Sequence, residues 1–367
     1  MKISIAKPDI GADEIEAVIE TMKSGWVTQG DKVEEFEKIF ATYCGARYGV
    51  AASSGTTALH IALASIGIQN GDEVITTPLS CVSTANPILY LHAKPVFVDV
   101  QPETLNINPQ IIERKITKKT KAILPVHVFG HPVDIDPIVE TAEKQGICVI
   151  EDAAHALGAR YKGKKVGSIG HISCFSFYAD KIITTAEGGI ALTNNEELAQ
   201  KMQMLRNHGM NRHQKFYHPI LGYNYKMSDI HAAIGIAQMR KLDKYIEKRR
   251  KNVEYLNKQL NGLELELPTE QSYAFCVYYV YHAVAKRGRN EAVEYLEKKG
   301  IETRPLLSLI PTQPPYQSLG YNSNDYPVAK SAHQKGFYVS NSPLLTRKEL
   351  QYMASMLRKA FSKDQKK

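Results

Sequence analysis

Short apolar runs recur along the first two-thirds of the chain, each bounded by polar or glycine-bearing stretches. They are YGVAA (48–52), EVITT (73–77), PVFVDV (95–100), KAILPVHV (121–128), CVIED (148–152), ISCFSF (172–177) and GIALT (189–193). Runs of this length predict strands buried on both faces. The segments between them at 56–66, 83–92 and 134–145 have the length of crossover helices. The alternation predicts an α/β domain with a mostly parallel central sheet covered on both faces. Upstream, Ile15, Val18, Ile19 and Met22 fall at the i, i+3, i+4, i+7 spacing of an amphipathic helix.

From about Ser228 the pattern changes. A long polar–apolar helix is predicted to about Leu260, followed by the strand-like YAFCVYYVYHAVA (273–285) and a helix near 290–299. A proline-rich loop, RPLLSLIPTQPPY (304–316), and a last helix from about Thr346 complete the chain, with KDQKK frayed at the end. This reads as a smaller α/β domain hinged on the long helix, dividing the chain into a large domain at 1–240 and a small one at 241–367.

Composition narrows the class. The longest apolar runs fall far short of a membrane span. MKISIAKPDI alternates apolar and polar residues, unlike a signal-peptide core. Five cysteines, widely scattered, fit neither a zinc site nor a disulfide framework, which points to a reducing, cytoplasmic setting. The formal charge of +8 comes with no nucleic-acid motif. The densest basic run, RKLDKYIEKRRKN (240–252), interleaves acids at helical spacing and reads as a solvated helix face. An anionic small substrate accounts for the remaining positive excess equally well.

Three motifs carry candidate chemistry. SSGTTALHIAL (53–63) follows a strand and opens a helix, so Ser53, Ser54, Gly55 and Thr56 offer either an anion seat at the helix N-terminus or a plain capping turn. VIEDAAHALGA (149–159) ends a strand at Asp152. In open parallel sheets ligands lie at the strands' carboxyl ends, so Asp152 is placed either for chemistry or as the cap of a following helix. His155, three residues on, then shares its helical face and is either packed or catalytic. In CFSFYADKIITTAEGGIALT (174–193), Lys181 follows a strand and precedes Gly-Gly in apolar surroundings, which lower an amine's pKa. A phosphate seat, a carboxylate and a lysine on separate loops of one sheet are the parts that hold pyridoxal phosphate (PLP).

With these motifs in order the chain resembles the DegT/DnrJ-type sugar aminotransferases. The resemblance extends over SGWVTQGDKVEEFEKIFATYCGARYGVAASSGTTALHIAL, GDEVITTPLSCVSTANPILYLHAKPVFVDV, FSFYADKIITTAEGGIALTN, LRNHGM and GYNYKMSDIHAAIGIAQM. KIITTAEGG, YHPILGYNYKM and GIETRPL look most like its GDP-perosamine synthase branch. The resemblance implies the PLP-dependent transferase fold type I (aspartate aminotransferase-like). It also implies transfer of an amino group from L-glutamate to C4 of a nucleotide-linked 4-keto-6-deoxysugar, in amino-sugar and surface-polysaccharide synthesis. Lys181 becomes the Schiff-base lysine and proton carrier, and Asp152 the partner of the pyridine nitrogen. Ser54, Gly55, Thr56 and Ser176 hold the phosphate, and His155 lies near the ring. Asn224 reaches the phosphate of the neighbouring subunit of a homodimer.

The chain departs from the family where an aromatic usually stacks on the cofactor, since it has Cys81 there. Ala186 stands where glycine is commoner. In the 304–316 loop Leu306, Leu307 and Pro311 replace the histidine and aromatics usual in the perosamine branch. Two rivals remain in view. A sugar 3-dehydratase of the same fold typically has histidine in place of the lysine. A non-enzymatic PLP-binding sensor or regulatory protein would keep the fold without the turnover.

Overall fold

Seven strands form the main sheet of the computed structural model, which describes residues 1–211, 214 and 216–362. The expected fraying of 363–367 lies outside the described residues. The strands are β1 (Tyr48–Ala52), β2 (Glu73–Thr76), β3 (Lys94–Phe97), β4 (Thr120–Leu124), β5 (Cys148–Asp152), β6 (Ile172–Ser176) and β7 (Gly189–Thr193), in the spatial order β1-β7-β6-β5-β4-β2-β3. Each coincides with a predicted apolar run. The pairs from β3 to β6 are parallel, whereas β7 runs antiparallel to both β6 and β1. Two reversals restore direction, so β1 points the same way as β6. The carboxyl ends of β1, β2, β5 and β6 therefore share one edge of the sheet.

The helices that cover the sheet include α1 (Ala12–Lys23), α2 (Asp31–Cys44), α3 (Gly55–Ser65), α4 (Val82–Tyr90), α5 (Asp136–Gln145) and α6 (Glu196–Arg206). The helix predicted at Ile15 to Met22 forms as α1, but its apolar stripe faces outward: Ile15 is 54% and Met22 59% exposed. Its inner face is polar. Glu14 is buried and accepts hydrogen bonds from Gln238 Nε2 and Lys241 Nζ, both at 2.8 Å.

The single long helix expected from Ser228 to Leu260 is two, α7 (Asp229–Met239) and α8 (Leu242–Leu260). Arg240 and Lys241 donate three residues back, to Ala237 and Gln238, and this tighter turn redirects the chain. Leu242, Tyr245 and Ile246 of α8 then join the core under the main sheet. Val253, Leu256 and Leu260 join a second core beneath a four-stranded sheet built from Leu265–Glu266, Tyr281–Ala285, Gly336–Val339 and Arg304–Pro305. Ile3 reaches into that second core and bridges Ile301.

The strand-like 273–285 run is also interrupted. Residues 276–280 leave the sheet because Val277 and Tyr279 donate their N–H groups to Gly130 and Phe129, on the loop after β4. That detour brings Tyr279 to the carboxyl edge of the main sheet. Among the described residues no helix is long and apolar enough to cross a membrane.

Candidate active site

One cavity of about 240 Å3 opens at the shared carboxyl edge. It is lined by Ser54, Gly55, Thr56, Cys81, Asp152, His155, Ser176 and Lys181. Eight of the nine residues singled out in the sequence thus meet in one place. Asn224 does not; it is exposed and forms a short bridge with Asn207.

The anion seat follows from local sequence. Ser54 caps α3, its Oγ accepting from Thr57 N at 3.2 Å, and the first turn of this eleven-residue helix holds no acidic residue. Ser176, the last residue of β6, packs against Gly55 so closely that a Cβ there would stand 2.8 Å from Ser176 Cβ. A Cβ at Gly189 would lie 2.3 Å from the Ser54 carbonyl. The two glycines let β6 and β7 press the turn into shape, leaving the helix N-terminus and the Ser176 hydroxyl at the cavity. The donor set suits a phosphate.

Asp152 is buried at the end of β5. Its Oδ2 accepts from Thr84 Oγ1 at 2.7 Å and its Oδ1 from Ala154 N at 3.1 Å. Burial raises its pKa, against the pull of Thr84, Ala154 and the Lys181 charge. A carboxylate held so wants a cation in the cavity, as a protonated pyridine nitrogen would be. No helix follows Asp152, contrary to the capping alternative. Residues 153–159 form turns, and Ala153 N donates to Cys174 O on β6. His155 is therefore not set on a helical face with Asp152. It is buried and stacked on Tyr279 with ring centroids 4.5 Å apart. Burial, then the Lys181 charge, holds its pKa well below 6.5, and its buried Nδ1 has no partner in the protein.

Lys181 sits in the loop from β6 to β7. That loop is pinned by Phe177, which pairs with Gly188 and accepts from Thr185 N and Thr184 Oγ1. Ala186 adopts a left-handed φ of 69°, a conformation that suits glycine better. Burial lowers the Lys181 pKa, opposed by Asp180 and Asp152. Its Nζ lies over the Tyr279 ring, 4.7 Å from the centroid.

Cys81 is an exposed residue at the start of α4, at the cavity mouth. The 304–316 loop clamps the segment just before it: Ile310 N donates to Pro78 O and Ser80 N to Ser308 O. Leu306 and Pro311 are buried and Leu307 half-buried, so these replacements serve packing more than an open pocket.

Sequence reasoning missed Thr84, Ser80 and Tyr279. Ser80 and Thr84 are four residues apart across the start of α4, the spacing that brings side chains together on one helix face. Tyr279 gave no local signal, because it arrives from the other sheet.

A phosphate seat, a buried carboxylate and a desolvated lysine at one edge of this sheet define a PLP-dependent transferase of fold type I. The PLP-form of Spr1654 from Streptococcus pneumoniae superposes with a TM-score of 0.95 over 98% of both chains at 28% identity. The chain belongs to the DegT/DnrJ/EryC1/StrS aminotransferase family, whose model matches residues 8–358. It is 39% identical over 363 residues to the GDP-perosamine synthase of Caulobacter vibrioides, covering 97% of each. It is also 36% identical over 355 residues to a pleiotropic regulatory protein of Geobacillus stearothermophilus, covering 96% of this chain and 94% of that one.

Proposed function

We propose that this sugar aminotransferase moves the amino group of L-glutamate to C4 of a nucleotide-linked 4-keto-6-deoxysugar, with PLP as carrier, in the cytoplasm and towards surface polysaccharide. The observation that carries the reading is the convergence of the α3 N-terminus, Asp152 and Lys181 on one cavity. Its volume of about 240 Å3 lies below the roughly 300–1,000 Å3 of a drug-sized ligand site. It suits one ring-sized cofactor, and the nucleotide-linked sugar lies in the mouth beside Cys81 and the 304–316 loop.

When bound, PLP supplies an electron sink. Gly55, Thr56 and Ser176 bind its phosphate and fix its register, with Ser54 shaping the turn. Asp152 keeps the ring nitrogen protonated. His155, neutral through burial, faces the ring without adding charge. Lys181 would hold the cofactor, and its Nζ, as a free amine, would carry the proton at the reacting substrate carbon. Burial favours the uncharged amine that both tasks need.

We read the division at 1–240 and 241–367 as two domains, and the active unit as a homodimer. Ile15, Ile19, Met22 and Trp26 expose one apolar face, and Phe216 and Leu221 are 88% and 89% exposed on the segment that leads to Asn224. A second copy covering this surface would carry Asn224 to the partner's phosphate seat.

Lysine at 181 favours transamination over 3-dehydration. A regulatory role would leave the cofactor bound and glutamate without effect. The test is borohydride reduction of the PLP-loaded protein with peptide mapping, beside a mass-spectrometric screen of nucleotide-linked keto-sugars with L-glutamate. Label on Lys181 and a product gaining an amino group support the reading. Label on another lysine, or cofactor that glutamate leaves unchanged, overturns it.

A further inference from the structure

Tyr279 belongs to the smaller sheet's chain segment, yet its hydroxyl, its ring and its backbone are all held by residues beside Lys181 or around the carboxyl edge of the main sheet. Its hydroxyl donates to Asp180 Oδ1 at 2.7 Å. One ring face stacks on His155 at 4.5 Å with planes 11° apart, and Lys181 Nζ lies 4.7 Å from the ring centroid. Its backbone is held too, N–H to Phe129 O at 2.9 Å and C=O from Arg249 at 2.7 Å. His155 also stacks on Phe129 and Phe129 on His282, so two rings from the main sheet lie between two from the smaller sheet's segment in one pile. The phenol's own ionisation is pushed far above 10 by burial and by Asp180, so its hydroxyl remains a donor.

We infer that Tyr279 is a positioning residue for Lys181: its hydroxyl holds the Asp180 carboxylate turned away from the ε-amine, while its ring seats that amine. The inference rests on Lys181 being the reacting lysine. Asp180 has a second tether, Arg304 NH1 at 3.4 Å, and its negative charge already acts on Lys181. Freed from Tyr279, the carboxylate can swing to the ammonium and pair with it. The ring acts in the opposite sense to the hydroxyl, since its face attracts the ammonium directly. The other charged or titratable groups around Lys181 are Asp152 and His155 at the end of β5, Cys81 and Glu187 across the cavity, and Tyr178 beside it. Behind it stand Lys7 and Asp9 of the N-terminal segment and Tyr245 and Arg249 of α8. None of these touches Tyr279 OH in place of Asp180.

The experiment is competitive labelling of Lys181 with acetic anhydride across pH in cofactor-free protein, quantified by mass spectrometry. It is run on wild type, Tyr279→Phe, Tyr279→Leu and Asp180→Asn. Tyr279→Phe keeps the ring and releases Asp180, so the Lys181 midpoint should rise by about one pH unit, a tenfold loss of free amine at fixed pH. Tyr279→Leu also loses the ring face, so its midpoint should fall below that of Tyr279→Phe. In an Asp180→Asn background, Tyr279→Phe should shift nothing. Profiles identical to wild type, or a midpoint lowered in Tyr279→Phe, overturn the inference. If Tyr279→Leu fails to fold, the Phe variant and its Asp180→Asn background decide alone. Borohydride trapping on the same proteins keeps the two questions apart. Failure to trap Lys181 overturns the function, whereas trapping with unmoved profiles overturns only the role of Tyr279.

Discussion

Thr84 donates its hydroxyl proton to Asp152 Oδ2 at 2.7 Å, and Ser80 Oγ lies 2.8 Å from the same hydroxyl. Because Thr84 has only one proton to give, Ser80 is the donor in the second bond, and the three residues form a relay aimed at the carboxylate. Thr84→Val keeps the shape and removes the donor. Loss of a hydrogen bond to a buried charged group should cost about 1–3 kcal/mol and weaken PLP, because Asp152 becomes easier to protonate. Thermal melts and a PLP titration at neutral pH check both. Unchanged affinity would make Thr84 a packing residue only.

Asp152→Asn should act in opposite senses on turnover and on apo stability. An amide cannot hold the ring nitrogen protonated, so turnover should fall on the order of 100-fold or more. The sign of the stability effect follows from the raised folded-state pKa. Asp152 favours folding while protonated, and that contribution is lost as pH rises from the unfolded value through the folded one. In cofactor-free protein the variant should therefore gain on wild type as pH rises above about 3.9. Melts of both proteins across that range decide it. A difference that does not vary with pH would mean that Asp152 is solvated in the apo-protein.

The buried histidines predict acid sensitivity of the whole molecule. Burial holds His60 down to about 4 and His282 to about 3, and lowers His131 and His155 as well. A lowered folded-state pKa means stability that is present above the unfolded value and lost as pH falls towards the folded one. The loss should begin near pH 6.5, at roughly 1.4 kcal/mol per unit for each such histidine. His60 is a clean probe, lying outside the cavity with Nδ1 3.1 Å from Tyr225 OH. His60→Gln should flatten the fall between pH 6.5 and 4 in denaturant titrations. An unchanged slope would assign the acid limb to other groups.

The legible part of the site was the part set by strand ends. Ser54, Asp152 and Ser176 each sit at or just past the carboxyl end of a short apolar run, and parallel order puts such ends on one edge. Lys181 follows for the same reason. What failed to show were relations made by distant packing. The stripe of α1 reads as inward by periodicity, yet Glu14 takes the inner face because Gln238 and Lys241 wait there to pair with it. The stretch after Asp152 reads as helix-like, yet Ala153 and Ala154 give their N–H groups to β6 and to Asp152 itself. Tyr279 sits in a run that reads as one strand, and the bonds of Val277 and Tyr279 to the loop after β4 take it out of the sheet.

Shared active sites give a complementation test. If Asn224 serves the partner's cofactor, a hybrid of Lys181→Ala with Asn224→Ala has one intact site and one doubly damaged site. Statistical mixing makes half the dimers hybrids, each with one good site of two, so activity should recover to about a quarter of wild type. Subunit exchange is confirmed separately by mass. Exchange without recovery would place Asn224 outside the partner's site, in keeping with nothing more than its exposed position here.

Cys81 offers a gain-of-affinity test. In the family an aromatic usually stands over the cofactor at this position, and offset stacking contributes about 0.5–1.5 kcal/mol beyond area burial. A thiol gives only part of that contact. Cys81 is exposed at the cavity mouth and its side chain caps nothing at the start of α4, so a larger residue meets open space rather than a packed core. Cys81→Phe should therefore leave the apo melting temperature close to wild type and tighten PLP by about two- to tenfold. The contrary result is specific. If the ring overpacks, apo stability falls by roughly 1–3 kcal/mol with no gain in affinity. A second readout separates stacking from mere filling. Cys81→Leu adds volume without a π-face, so its affinity should stay near wild type while Phe tightens. Equal gains from Leu and Phe would mean that residue 81 shields the mouth without lying on the ring, and would withdraw the stacking role from this position.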